Sequence, residues 1–127
     1  MKKMLLCILI AFSFLHAHAQ SKYEEMAGKF FRFYNAQSPD SIFALCTPEL
    51  QVKLPLPKTT AVISGLHIQY GDLKSLKLIK EDNGFNIYKA AFSQQTLSLL
   101  LELSSDNLIN GYRLVPYDPK QYPEENK

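Results

Sequence analysis

Tryptophan is absent from these 127 residues, and cysteine, histidine and glycine are scarce, at two, three and five copies. Each scarcity closes off a class of protein. Two cysteines do not make a disulfide framework. Cys7 lies in the leading apolar segment, so Cys46 stands alone and the fold must be held by its core. His67, the one histidine outside that segment, has no cysteine or histidine beside it and is not a zinc site. No metal and no cofactor are expected. No Gly-rich phosphate loop and no Gly-x-Ser-x-Gly element is present. The leading apolar run falls short of the roughly 20 residues of a spanning helix, so no membrane span is expected. Charge of one sign is lacking too. The 14 lysines and arginines outnumber the 12 aspartates and glutamates only by Lys2 and Lys3, and without those two the domain is formally neutral. A neutral domain carries no electrostatic footprint for nucleic acid or for an anionic membrane.

What is present begins with an export signal. Lys2 and Lys3 form a positive start, Met4 to Leu15 is apolar but for Ser13, and Ala17-His18-Ala19 places small residues where a signal peptidase cuts. Cys7 comes too early, behind a bulky Leu6, to be a lipid attachment site. Residues 1–19 are therefore expected to be a signal peptide, giving a periplasmic or secreted product cleaved near Ala19. Residues 20–118 are expected to form one domain, and 119–127, polar and broken by Pro119 and Pro123, a flexible tail. About 108 residues is one domain's worth and buries roughly 65% of the surface of the unfolded chain. An aromatic content of 12% with moderate charge argues against disorder.

The first half of the domain reads as helices. From Lys22 to Tyr34 the apolar Met26, Ala27, Phe30, Phe31, Phe33 and Tyr34 recur at three- and four-residue spacing, which predicts an amphipathic helix. Glu24 and Glu25 suit the start of its dipole, Lys29 and Arg32 its end. Ser38-Pro39-Asp40 predicts a capped start to a second helix, with Ile42, Phe43, Leu45 and Cys46 on its apolar side. Thr47-Pro48-Glu49 repeats that start before a brief turn through Leu50 and Val52. Alternating prolines keep the stretch from Leu54 to Pro57 out of a helix interior. A further helix is predicted from about Lys58 to Gln69, across Gly65.

The second half switches to a two-residue period. Gly71-Asp72 marks a turn, and Leu73 to Lys80 alternates Leu76 and Leu78 with Lys77. Asp82-Asn83-Gly84 is a hairpin signal, with Phe85 to Phe92 returning. Thr96 to Leu103 sets Leu97, Leu99, Leu101 and Leu103 on one face, Ser98 and Glu102 on the other. Ser104 to Asn107 turns the chain into a last strand, Leu108 to Val115, in which Gly111 predicts a bulge or a close approach of another backbone. Helices followed by four successive strands predict the α+β class, with N-terminal helices packed on one face of a curved four-stranded antiparallel sheet.

This pattern resembles the NTF2-like (cystatin-like) α+β superfamily. The motifs that carry the likeness are the helical element Phe-Tyr-Asn-Ala-Gln-Ser-Pro-Asp-Ser-Ile over 33–42, Thr-Pro-Glu-Leu from Thr47 to Leu50, Gly71 before the first strand, and Ile-x-Gly-x-x-x-x-Pro from Ile109 to Pro116. More narrowly it resembles the bacterial DUF3887 domains, over roughly residues 22 to 118. The resemblance implies a sheet curled around the helices into a conical pocket, in an exported protein. Domains of that family are sometimes joined to a serine-hydrolase or α/β-hydrolase domain. The catalytic pairs of the superfamily's enzymes find no residue-by-residue match here.

Four side chains stand out for ligand or partner binding: Tyr88, Tyr112, Arg113 and His67. An antiparallel sheet with helices on one face leaves the other open, and aromatics there can bind a partner. The side taken by Tyr112 depends on whether Gly111 is a bulge, because a one-residue slip flips every side chain. His67 has the intrinsic pKa of a general base but needs an orienting partner, and Asp72, the nearest acid, lies past a turn. Cys46 reads as a small buried hydrophobe. The expected function is an exported, non-catalytic binding or interaction module of the bacterial cell envelope, with no catalytic residue. Its candidate partners are a second copy through the sheet face, a small apolar ligand or an envelope protein. The alternatives are a small pocket enzyme of isomerase or hydrolase type with His67 or a pocket carboxylate as base, and an accessory partner of an exported hydrolase.

Overall fold

The computed structural model describes residues 22–82 and 84–121. The expected signal peptide, Asn83 of the hairpin signal and the last residues of the expected tail lie outside that range. Four helices come first: α1 (residues 22–35), α2 (Pro39–Ala44), α3 (Pro48–Lys53) and α4 (Leu56–Tyr70). Four strands follow: β1 (Leu73–Asp82), β2 (Phe85–Phe92), β3 (Thr96–Leu103) and β4 (Ile109–Pro116). The strands form one antiparallel sheet in the order β1-β2-β3-β4. The protein is thus α+β, with its helices on a four-stranded antiparallel meander, as the change of period predicts.

Local chemistry sets the helix starts. Pro39 and Pro48 each occupy a first-turn position, where a missing N–H costs nothing. Thr47 caps α3, its hydroxyl accepting from the Leu50 N–H at 3.2 Å while donating to Asn110 Oδ1 at 3.0 Å. What reads as a brief turn there is a complete short helix. Ser38 does not cap α2 as expected. Its hydroxyl is taken up by Asp40 Oδ1 at 3.0 Å and Ser41 Oγ at 2.7 Å. The prolines do bound α4, but they start it: Pro55 is its N-cap and Pro57 lies in its first turn. Gly71 ends it at φ 81°, with its N–H bonded to the His67 carbonyl at 2.9 Å. A Cβ on Gly71 would also lie 3.0 Å from the Ser93 Cβ, so this turn needs glycine on two counts.

The core lies between α1 and the sheet. Phe30 and Tyr34 of α1 are fully buried, and Tyr34 meets Phe92 edge-on at 5.5 Å between ring centroids. Leu97, Leu99, Leu101, Ala90 and Ile109 complete the sheet side, with Ile42 and Ile63 from the other helices and Cys46, expected on the second helix, from the link beyond its end. Asn35 ties α1 to β1 with a side-chain amide that mimics a strand. It donates to the Leu73 carbonyl and accepts from the Leu73 N–H, both at 2.8 Å. At the opposite edge, the link between α2 and α3 pairs with the start of β4, through Ile109 N–H to Leu45 O and Thr47 N–H to Ile109 O, each at 2.8 Å. Edge strand β1 carries two register shifts, between Leu73 and Ser75 and between Leu78 and Lys80. Bulges and lysines at an edge discourage pairing with another sheet.

Candidate functional site

Register decides which side of the sheet each side chain takes. Glu102 pairs with Gly111 but Leu103 pairs with Ile109, so Asn110 is an extra residue in β4. The bulge expected at Gly111 is real, and it lets Ile109 and Tyr112, three apart, both face the helices. Gly111 opposes Glu102 on the outer side, where a Cβ would meet Glu102 Oε2 at 3.3 Å. Arg113 and Val115 follow on that outer side.

The predicted binding residues therefore do not form one group. Tyr88 and Tyr112 face the helices and Arg113 faces away. The register puts Tyr88 on the helix side, and the bulge settles the side of Tyr112, open in the sequence, the same way. Tyr88 is buried, and its oxygen accepts a 3.5 Å bond from Asn86 Nδ2. Tyr112 packs on Phe30 at 5.5 Å between centroids, and its hydroxyl is buried without a hydrogen-bond partner among the described residues. Burial, and then the neighbouring Cys46, push the Tyr112 phenol up to about 12. Burial alone pushes the Cys46 thiol up to about 11, which leaves it a protonated hydrophobe rather than a nucleophile. Its Sγ donates to the Ile42 carbonyl at 3.4 Å.

His67 does find the orienting acid. Its Nε2 is 2.7 Å from Asp72 Oδ1, across the turn that joins α4 to β1. The imidazole lies 5.7 Å from the Tyr34 ring, and the Tyr34 hydroxyl donates to the Gly71 carbonyl at 2.8 Å. Burial, and then Asp72, push that phenol up to about 12. Every polar partner in this cluster closes the same helix-to-strand turn.

The outer side holds what residue-by-residue scanning passes over. Phe85, Ile87, Leu100 and Val115 all face away from the helices by register. Ile87 is buried but lies outside the main core cluster. A depression of about 290 Å³ lies among Phe85, Leu100, Glu102, Gly111, Tyr112 and Arg113, so Tyr112 borders it although its ring packs on Phe30. Glu102 and Arg113 are both exposed, and neither has an ion-pair partner among the described residues. At the other end of this face, the Lys89 ammonium sits 5.1 Å from the centre of the Tyr117 ring. Ser98, cross-strand neighbour of Lys89 and Val115, is buried there instead of solvated, its hydroxyl unpartnered among the described residues. The sequence signal for the patch was present. β2 and β3 place apolar residues on both sides, a pattern of strands covered twice.

Among the described residues no three His, Cys, Asp or Glu side chains gather where they could hold a metal ion. No described helix is long and apolar enough to cross a membrane. Compared with protein-family models, with curated proteins and with solved structures, the chain matches none.

Proposed function

We propose that this domain is an exported, non-catalytic interaction module of the cell envelope that pairs with a second copy of itself through the outer face of its sheet. The observation that carries the reading is the outer face: an apolar centre of Phe85, Ile87, Leu100 and Val115, bordered by an acid, Glu102, and a base, Arg113, neither ion-paired among the described residues. A two-fold pairing must be self-complementary, so that each residue meets its counterpart's partner. One acid and one base on the same face meet that requirement: Arg113 of one copy faces Glu102 of the other. Strands about 4.8 Å apart and roughly 26 Å long give four strands a face of ~500 Å². Two such faces together stand at the small end of specific interfaces, and the pairing is expected to be weak, in the micromolar range. The leading segment with its Ala17-His18-Ala19 site supports export, and the NTF2-like resemblance supports the sheet face as the working surface.

Sedimentation velocity across a concentration series tests this. The wild type should shift from monomer to dimer over micromolar concentrations. Arg113→Glu should weaken the dimer at least tenfold, and adding Glu102→Arg should restore it. A wild type that stays monomeric into the hundreds of micromolar sinks the proposal.

A small pocket enzyme is the second reading, and the 2.7 Å contact of His67 with Asp72 favours it. That pair would orient the imidazole as a base. Hydrolysis of activated esters that His67→Gln abolishes, with the fold intact by circular dichroism, would establish it. Equal rates in both proteins would leave the pair as a clasp on the turn.

A further inference from the structure

On the helix side of the sheet, α1 does not close fully onto β1 and β2. An open depression of about 350 Å³ runs among Ala27, Gly28, Phe31, Leu76 and Tyr88, with Glu24 at its rim. A narrower recess adjoins it, lined by Tyr23, Leu78, Glu81 and Asn86 and sharing Glu24 and Tyr88. The combined groove reaches the lower end of small-molecule sites in size. We propose that it binds a small amphiphilic amine, with the ammonium between Glu24 and Glu81 and the apolar chain along Ala27, Phe31 and Leu76. This site lies on the opposite side of the sheet from the pairing face and does not depend on it.

Three observations converge on that chemistry. Neither Glu24 nor Glu81 has a cationic partner among the described residues, whereas the adjacent Glu25 is paired with Lys29 at 3.3 Å. Asn86 and Tyr88 are 6% and 4% exposed, and the one bond their side chains make among the described residues is the 3.5 Å contact with each other. That contact is at the limit of hydrogen-bond length, so both side chains keep hydrogen-bonding capacity toward the recess they line. Finally, the walls are aromatic and aliphatic: Tyr23, Phe31, Tyr88, Leu76 and Leu78. Two carboxylates beside tyrosine rings suit an ammonium, which gains from the ring faces. A hard divalent ion would instead require six or more oxygen ligands. Direction is built in as well. An Arg32 guanidinium nitrogen lies 3.6 Å from where a Cβ on Gly28 would stand, which makes that end of the groove hostile to a cation.

Isothermal titration calorimetry of the purified protein with octylammonium chloride, octanol and octanoate tests the proposal. Octylammonium should bind saturably at one site, octanol at least tenfold more weakly, and octanoate not at all. The double variant Glu24→Gln, Glu81→Gln should lower octylammonium affinity at least tenfold while leaving the thermal midpoint close to the wild type. Octylammonium should also shift the amide resonances of Ala27, Gly28, Leu76 and Tyr88 and not those of Leu100 and Arg113. Equal affinity for the three probes, no saturable binding of octylammonium, or full affinity in the double variant would each overturn it.

Discussion

Side chains alternate between the two sides of the same four strands, yet the two sides face different problems. On the helix side, Leu97, Leu99, Leu101 and Phe92 are covered by the chain's own helices, and the polar atoms that remain are mostly phenols. On the outer side, the half-buried Phe85, Leu100 and Val115 face away from helices α1 to α4, and the exposed polar groups at the depression are full charges, Glu102 and Arg113. Covered apolar surface stabilises the fold. Uncovered apolar surface bordered by opposite charges stabilises nothing until a partner arrives. If the proposed pairing holds, the two sides separate stability from association, residue by residue.

Leu99 and Leu100 are neighbours in sequence on opposite sides, and they give the sharpest separation. Leu99→Ala empties a fully buried position and should cost about 2–5 kcal/mol of unfolding free energy in urea titrations. Leu100→Ala should cost less than about 1.5 kcal/mol, the share of a leucine's transfer energy that partial burial retains. Its main effect should instead be a several-fold weaker dimer in sedimentation. If both variants lost the same stability and neither changed association, the outer side would be ordinary core and the distinction would fail.

How much of this was legible beforehand follows the range of each interaction. The α+β order, three of the four helices and all the strands came from local periodicity, and β2 and β3 fall where the alternation of Phe85 to Phe92 and Thr96 to Leu103 puts them. The bulge was signalled by Gly111, but its consequence, Tyr112 on the helix side, required the partner strand's register. Ser38 misled because its hydroxyl has competing acceptors two and three residues on. The clasp between His67 and Asp72 spans only five residues, but the turn that closes it depends on Gly71. Leu100 and Ser98 could not be assigned from alternation alone. One is apolar on the side without helices, and the other is polar but buried near the Lys89–Tyr117 contact, and both outcomes are tertiary. That Glu24 and Glu81 line one recess had no sequence signal, because the two lie on elements far apart in the chain.

The finest test contrasts two tyrosines of the helix side, Tyr34 fully buried and Tyr112 partly so. The Tyr34 hydroxyl donates to the Gly71 carbonyl, so Tyr34→Phe should cost about 1 kcal/mol. Tyr112→Phe removes a hydroxyl that is buried without a partner among the described residues, so stability should hold or rise by up to ~1 kcal/mol. Alkaline pH should report the same pair. Both phenols are raised to about 12 in the folded protein, whereas the unfolded chain releases such protons near 10. Their contribution to stability is therefore complete below pH 10, declines as the unfolded state ionises, and is lost as pH rises through 12. Each Phe variant should flatten that decline when unfolding free energy is measured between pH 9 and pH 12. A wild type with equal stability across this window would mean that neither phenol is held neutral by the fold. The helix side would then be less sealed than its burial implies.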